Sequence, residues 1–136
     1  MNDRAMALWE RAGKAIAVAK RDLSLSPDAA ASRAYYAAFY AVSALFALDE
    51  KSFTKHSAVE AAVHRELVRA GKWPAEVGAT YSRLFHRRSR ADYGAERHVS
   101  PDGAEDSIAG AERILRLAAE TSGGALRLEP SGGTGP

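Results

Sequence analysis

The sequence predicts an all-α protein, an up-and-down antiparallel bundle of four main helices plus a fifth. Three observations carry that prediction. Apolar residues recur at steps of three and four in five successive stretches. Helix start and stop signals separate the stretches: Ser-Pro-Asp opens two of them, and a glycine closes two others. No long β-branched run of period two competes with the helical reading.

The first helix places Trp9, Ala12, Ile16, Ala19 and Leu23 on one line and keeps Arg11, Lys14, Lys20 and Arg21 off it. Ser26-Pro27-Asp28 then supplies an N-cap, a proline where no N–H is missed, and an acid facing the positive helix end. The second helix starts there, with alanines at 30, 34, 37, 41 and 44 on one side and Tyr35, Tyr36, Phe39, Tyr40 and Phe46 around much of the rest. A helix apolar nearly all round belongs at the centre of a bundle, or with one side against a partner chain. Ser52 or Thr54 can cap the third helix, which runs through Val59, Val63, Leu67 and Ala70 to Gly71. Pro74 fits the first turn of the fourth, whose stripe is Val77, Tyr81, Leu84, Arg88 and Ala91 before Gly94. Ser100-Pro101-Asp102 opens the fifth, marked by Ala104, Ile108, Ala111, Leu115 and Ala118 and ending around Thr121. Residues 1–121 thus read as one helical domain, and residues 122–136, rich in Gly, Pro and Ser, as a flexible tail.

Composition excludes several classes. A chain of 136 residues has room for one core and not for a separate cofactor-binding domain. No cysteine is present, which removes disulfides, thiolate metal sites and cysteine nucleophiles. Lys and Arg number 19 against 17 Asp and Glu, so the net charge alone announces no nucleic-acid binder. The most apolar stretch, Ala34 to Leu48, is shorter than the roughly 20 residues a membrane span needs. The first residues lack the pattern of a signal peptide. The expectations are a cytoplasmic protein with no membrane partner. The four histidines, His56, His64, His86 and His98, show no metal-ligand spacing, and no phosphate-loop or dinucleotide glycine pattern appears, so neither metal nor cofactor is expected.

Chemistry concentrates between Tyr81 and His98, where five arginines (Arg83, Arg87, Arg88, Arg90 and Arg97) meet only Asp92 and Glu96. Arg83, Arg87 and Arg90 share one helix face, with His86 interleaved, and guanidinium forks suit phosphate. Basic residues near a helix C-terminus also complement its dipole, so a solvated helix end explains the cluster about as well. Arg88, on the apolar stripe, needs a partner to offset its desolvation. Asp92 stands one turn later, and Arg33, in the apolar second helix, is a competing partner for it; either pairing is structural. His98 follows the helix break, where an imidazole beside arginines can take a 2′-OH proton while fixed positive charge stabilises a pentacoordinate phosphate. Lys55 and His56, in the first turn of the third helix, are anion-binding candidates, with a hydroxyl cap beside a solvated Lys-His pair as the plainer account.

Ser32-Arg33-Ala34-Tyr35-Tyr36-Ala37-Ala38-Phe39-Tyr40-Ala41 resembles the signature helix of HEPN domains (higher eukaryotes and prokaryotes nucleotide-binding). Lys55-His56-Ser57 and Arg90-Ala91-Asp92-Tyr93-Gly94 are similar to the family's third-helix start and fourth-helix end, in consistent order over about residues 5 to 120. The resemblance implies a homodimer with a cleft between subunits. Many prokaryotic relatives are toxins or defence proteins paired with a small nucleotidyltransferase, and active ones are metal-independent ribonucleases with an Arg-x(4–6)-His motif. Here seven residues separate Arg90 from His98 and nine separate Arg88 from it, and Ser100 stands where some relatives carry a modified tyrosine.

Two functions follow as expectations. The first is binding of RNA or nucleotide phosphates, with cleavage by Arg88, Arg90 and His98 and phosphate contacts from Arg83, His86, Arg87, Lys55 and His56. The second is a non-catalytic interaction subunit that docks a partner nucleotidyltransferase.

Overall fold

A computed structural model describes residues 2–93 and 98–127, the side chains of Asp92 and Tyr93 excepted. Among these residues every regular element is helical: α1 (Asp3–Asp22), α2 (Pro27–Leu48), α3 (His56–Ala62) running into a π-helical stretch (Val63–Val68), α4 (Ala75–Tyr93) and α5 (Pro101–Thr121). The starts obey local chemistry. Asn2, Ser26 and Ser100 each accept a backbone N–H three residues on, from Ala5, Ala29 and Gly103.

The central helix is α2, which packs against α1, α5 and α4. Its alanines make that possible, because Ala30, Ala34, Ala37, Ala38, Ala41 and Ala44 are wholly buried and let three neighbours approach closely. Opposite it, Val77, Tyr81 and Leu84 of α4 and Ala104, Ile108, Ala111, Leu115 and Ala118 of α5 are buried on the expected lines. In α1 the line shifts slightly, to Ala5, Trp9, Ala12, Ala15 and Ala19, with Ile16 and Leu23 half-buried beside it.

The third segment departs from expectation. Its helix starts at His56 with Lys55 at the cap position and no side-chain cap bond, so neither Ser52 nor Thr54 caps it. Phe53 packs edge-on against Phe46 at 5.5 Å, which ties the approach to the end of α2. The backbone then widens into bonds spanning five residues, as in Arg69 N–H to the His64 carbonyl at 2.9 Å. Gly71, at φ +83°, ends the segment with the backbone conformation only glycine adopts freely, which leaves Ala70 exposed in the turn.

Packing continues beyond α5. Leu126 is buried and the Trp9 indole N–H donates to the Arg127 carbonyl at 2.7 Å, so residues 122–127, grouped with the tail on composition, lie against α1. No described helix is long and apolar enough to cross a membrane.

Candidate phosphate-binding end of the bundle

Antiparallel packing brings the first half of α2, the start of α3, the last turns of α4 and the start of α5 to one end of the molecule. Three polar clusters form there, and they divide the arginines and histidines in a way the spacing alone did not indicate.

In the first, His56 stands between α2 and α4. Its ring stacks on Phe39 at 4.3 Å, and its Nδ1 lies 2.7 Å from the Tyr35 hydroxyl. Arg88 comes in from α4, donates through Nη2 to the Tyr36 hydroxyl at 3.0 Å, and places its guanidinium carbon 5.7 and 5.4 Å from the Tyr35 and Tyr36 ring centres. Burial, and next the Arg88 charge, lower the His56 pKa. Burial raises that of Tyr35. We therefore assign the phenol as donor to Nδ1 of a neutral imidazole, which leaves the ring proton on Nε2.

In the second, His98, largely exposed, sets its Nδ1 2.7 Å from Asp28 Oδ2, while Asp28 Oδ1 accepts the Val99 N–H at 2.7 Å. Burial works to raise the Asp28 pKa, but the Val99 and His98 bonds outweigh it and the net shift is downward. An ionised carboxylate only accepts, so Nδ1 carries a proton, and Nε2 is the nitrogen that the neutral form of the His98 ring would expose as a lone pair. In their neutral forms the two rings would be opposite tautomers.

In the third, Arg83 Nε and Arg87 Nη1 both reach Asp106 Oδ2, at 2.9 and 2.7 Å, and Arg87 also donates to the Gly103 carbonyl at 3.0 Å. These two guanidinium groups brace α4 against α5 instead of forming a free face with Arg90. His86 is exposed and lies over Phe85, and Arg90 and Lys55 are exposed. Arg33 lays its guanidinium 4.8 Å from the Tyr36 ring centre. The pairing expected of Asp92, with Arg88 or Arg33, lies outside the described residues. So do Glu96 and Arg97.

Sequence reasoning missed Asp28, read there as a helix-start acid, and Tyr35 and Tyr36, read as packing. Asp28 gives no local signal, because its contact with His98 spans 70 residues of chain. Among the described residues no group of His, Asp or Glu is arranged to hold a metal ion.

The class defined by fold and site is a small α2-centred helical bundle with imidazole, guanidinium and phenol groups gathered at one end. The family model described as HEPN domain matches residues 5–121, and the chain belongs to that family. It is also similar to a UPF0332 protein of Thermotoga maritima, 44% identical over 86 residues. That match covers 63% of this chain and 65% of the relative, just under two thirds of the relative's length.

Proposed function

We propose that this HEPN protein binds RNA or nucleotide phosphates at the end of the bundle marked by His56, Arg88 and His98, with Lys55 and Arg90 on its rim. One observation carries the reading: Arg88 is held over two tyrosine rings beside an imidazole whose free nitrogen carries a proton. A guanidinium and a neutral N–H donor side by side are matched to a phosphate oxygen, and the aromatic surround strengthens both by excluding water.

Asp28 and Tyr35, which hold the two histidines, lie two turns apart on α2, roughly 10 Å along its axis. A nucleotide laid along α2 fits that spacing better than one phosphate shared by both rings. Within this reading His98 is the general base of a metal-independent cleavage, its Nε2 lone pair oriented by Asp28 as in other carboxylate–imidazole pairs, and Arg90 or Arg88 steadies the phosphate charge. A ribonuclease toxin or defence protein is the biological role this version fits. The second reading, a non-catalytic subunit that docks a nucleotidyltransferase, is favoured by the half-exposed Tyr36, Phe39 and Tyr40 face of α2.

Fluorescence anisotropy with a labelled single-stranded RNA tests the binding claim. Arg88→Gln is expected to weaken affinity at least about tenfold, the scale of one charge-assisted contact; unchanged affinity contradicts the proposal. Incubation with RNA in EDTA separates the two readings. Products from wild type but not from His98→Ala support cleavage, and equal products or none from both remove it.

A further inference from the structure

A second cationic surface adjoins this end and takes no part in it so far. Arg11, Lys14 and Val18 follow one another at i, i+3 and i+7 on α1, and Arg33, Tyr36 and Tyr40 do the same on α2. Where the two faces meet, Arg11, Lys14, Ala15, Val18, Arg33 and Tyr40 line a groove of about 230 Å³. None of the six is an acid. Several cations elsewhere are matched: Arg83 and Arg87 on Asp106, Arg113 on Glu76, Lys51 and Arg65 on Glu66, Lys20 on Glu112. Among the described residues Arg11, Lys14 and Arg33 have no carboxylate within ion-pair distance.

The groove is continuous with the first site. Arg88 and Arg33 both lie over the Tyr36 ring, Tyr36 meets Tyr40 at 5.9 Å, and Arg11 lies 5.7 Å from the Tyr40 ring centre. Cations and half-exposed aromatic rings alternate along this path. That alternation is the chemistry of a single-strand track, in which charge follows the backbone and any base stacks on a ring.

We propose that the α1–α2 groove binds the flanking nucleotides of a single-stranded RNA, with phosphates on Arg11, Lys14 and Arg33 and a base on Tyr40. The inference rests on the phosphate-binding reading above, and extends it from one nucleotide to a strand.

The test compares labelled uridine oligomers of about 4 and about 12 nucleotides, binding wild type, Arg11→Gln/Lys14→Gln and Arg88→Gln across a salt series. Both groove side chains are exposed on a surface helix, so the double variant keeps the core intact. The double variant is expected to bind the longer oligomer at least about tenfold more weakly, with a log–log salt slope shallower by about 1.4, while leaving the shorter one unaffected. If the double variant binds the longer oligomer like wild type while Arg88→Gln loses it, the groove proposal alone is overturned. Wild type that binds neither oligomer overturns the phosphate-binding reading and this inference with it. Sedimentation run alongside detects the remaining contradiction, a double variant that changes oligomeric state at unchanged RNA affinity, which makes the groove a contact between copies.

Discussion

His56 and His98 are both held at Nδ1, one by a phenol and one by a carboxylate, and that difference in partner sets what each ring offers at Nε2. It also gives them different consequences for stability. The folded pKa of His56 lies below its ordinary 6.5, so between the two values the unfolded chain binds more protons. Its contribution is complete above about pH 6.5 and is lost as pH falls through the folded value. Asp28, Glu66, Glu76 and Asp106 are shifted downward, and their contributions are lost only below about pH 4, outside that window. Urea midpoints measured at about pH 7.5 and about pH 5.5 are expected to fall for wild type and to fall less for His56→Gln, which does not titrate. Equal falls contradict the burial of a neutral imidazole. The lowered pKa of His56 was not legible in the sequence. Lys55-His56-Ser57 reads as a helix start, and only the α4 register, which carries Arg88 over from another helix, turns it into a partly buried pair of bases.

The helices differ in how much of their placement is written locally. In α4 and α5 the three-and-four spacing names the buried line, because those helices turn their main apolar face to α2, with lesser contacts to other elements. The π-helical stretch Val63–Val68 carries no such signal. Its cause is tertiary: His64 Nε2 lies 2.9 Å from the Ser82 hydroxyl, and Gly78 of α4 comes so near that an added Cβ would stand 2.8 Å from Val68 and 2.9 Å from the His64 ring. Gly78→Ala is therefore expected to cost about 1–3 kcal/mol, as overpacking does in a filled core. Gly13, on the exposed side of α1 with nothing within 4 Å of its added Cβ, supplies the control. There the same change is expected to add about 0.5–1 kcal/mol through helix propensity. Denaturant unfolding of both variants checks the signs, and destabilisation at both positions would contradict the close-approach account.

For the whole molecule, the near-balance of 19 basic and 17 acidic residues conceals an uneven distribution. The run of arginines in α4 was legible as a cluster, but not its division: Asp106 takes Arg83 and Arg87 across the α4–α5 contact, leaving Arg88 for the aromatic face. Long-range partners decide such matters, and no spacing rule reaches them. Along α2, aromatic rings stand beside Arg88, Arg33 and Arg11 in turn. The central claim is that the end of the bundle carrying His56, Arg88 and His98 meets phosphate. Titrating isotopically labelled protein with uridine monophosphate, and following backbone amide and histidine ring resonances, tests it most directly. The account predicts saturable shifts confined to His56, Arg88, His98 and the residues of α2 beside them. An unresponsive spectrum, or shifts centred on the opposite end of the bundle, would contradict it.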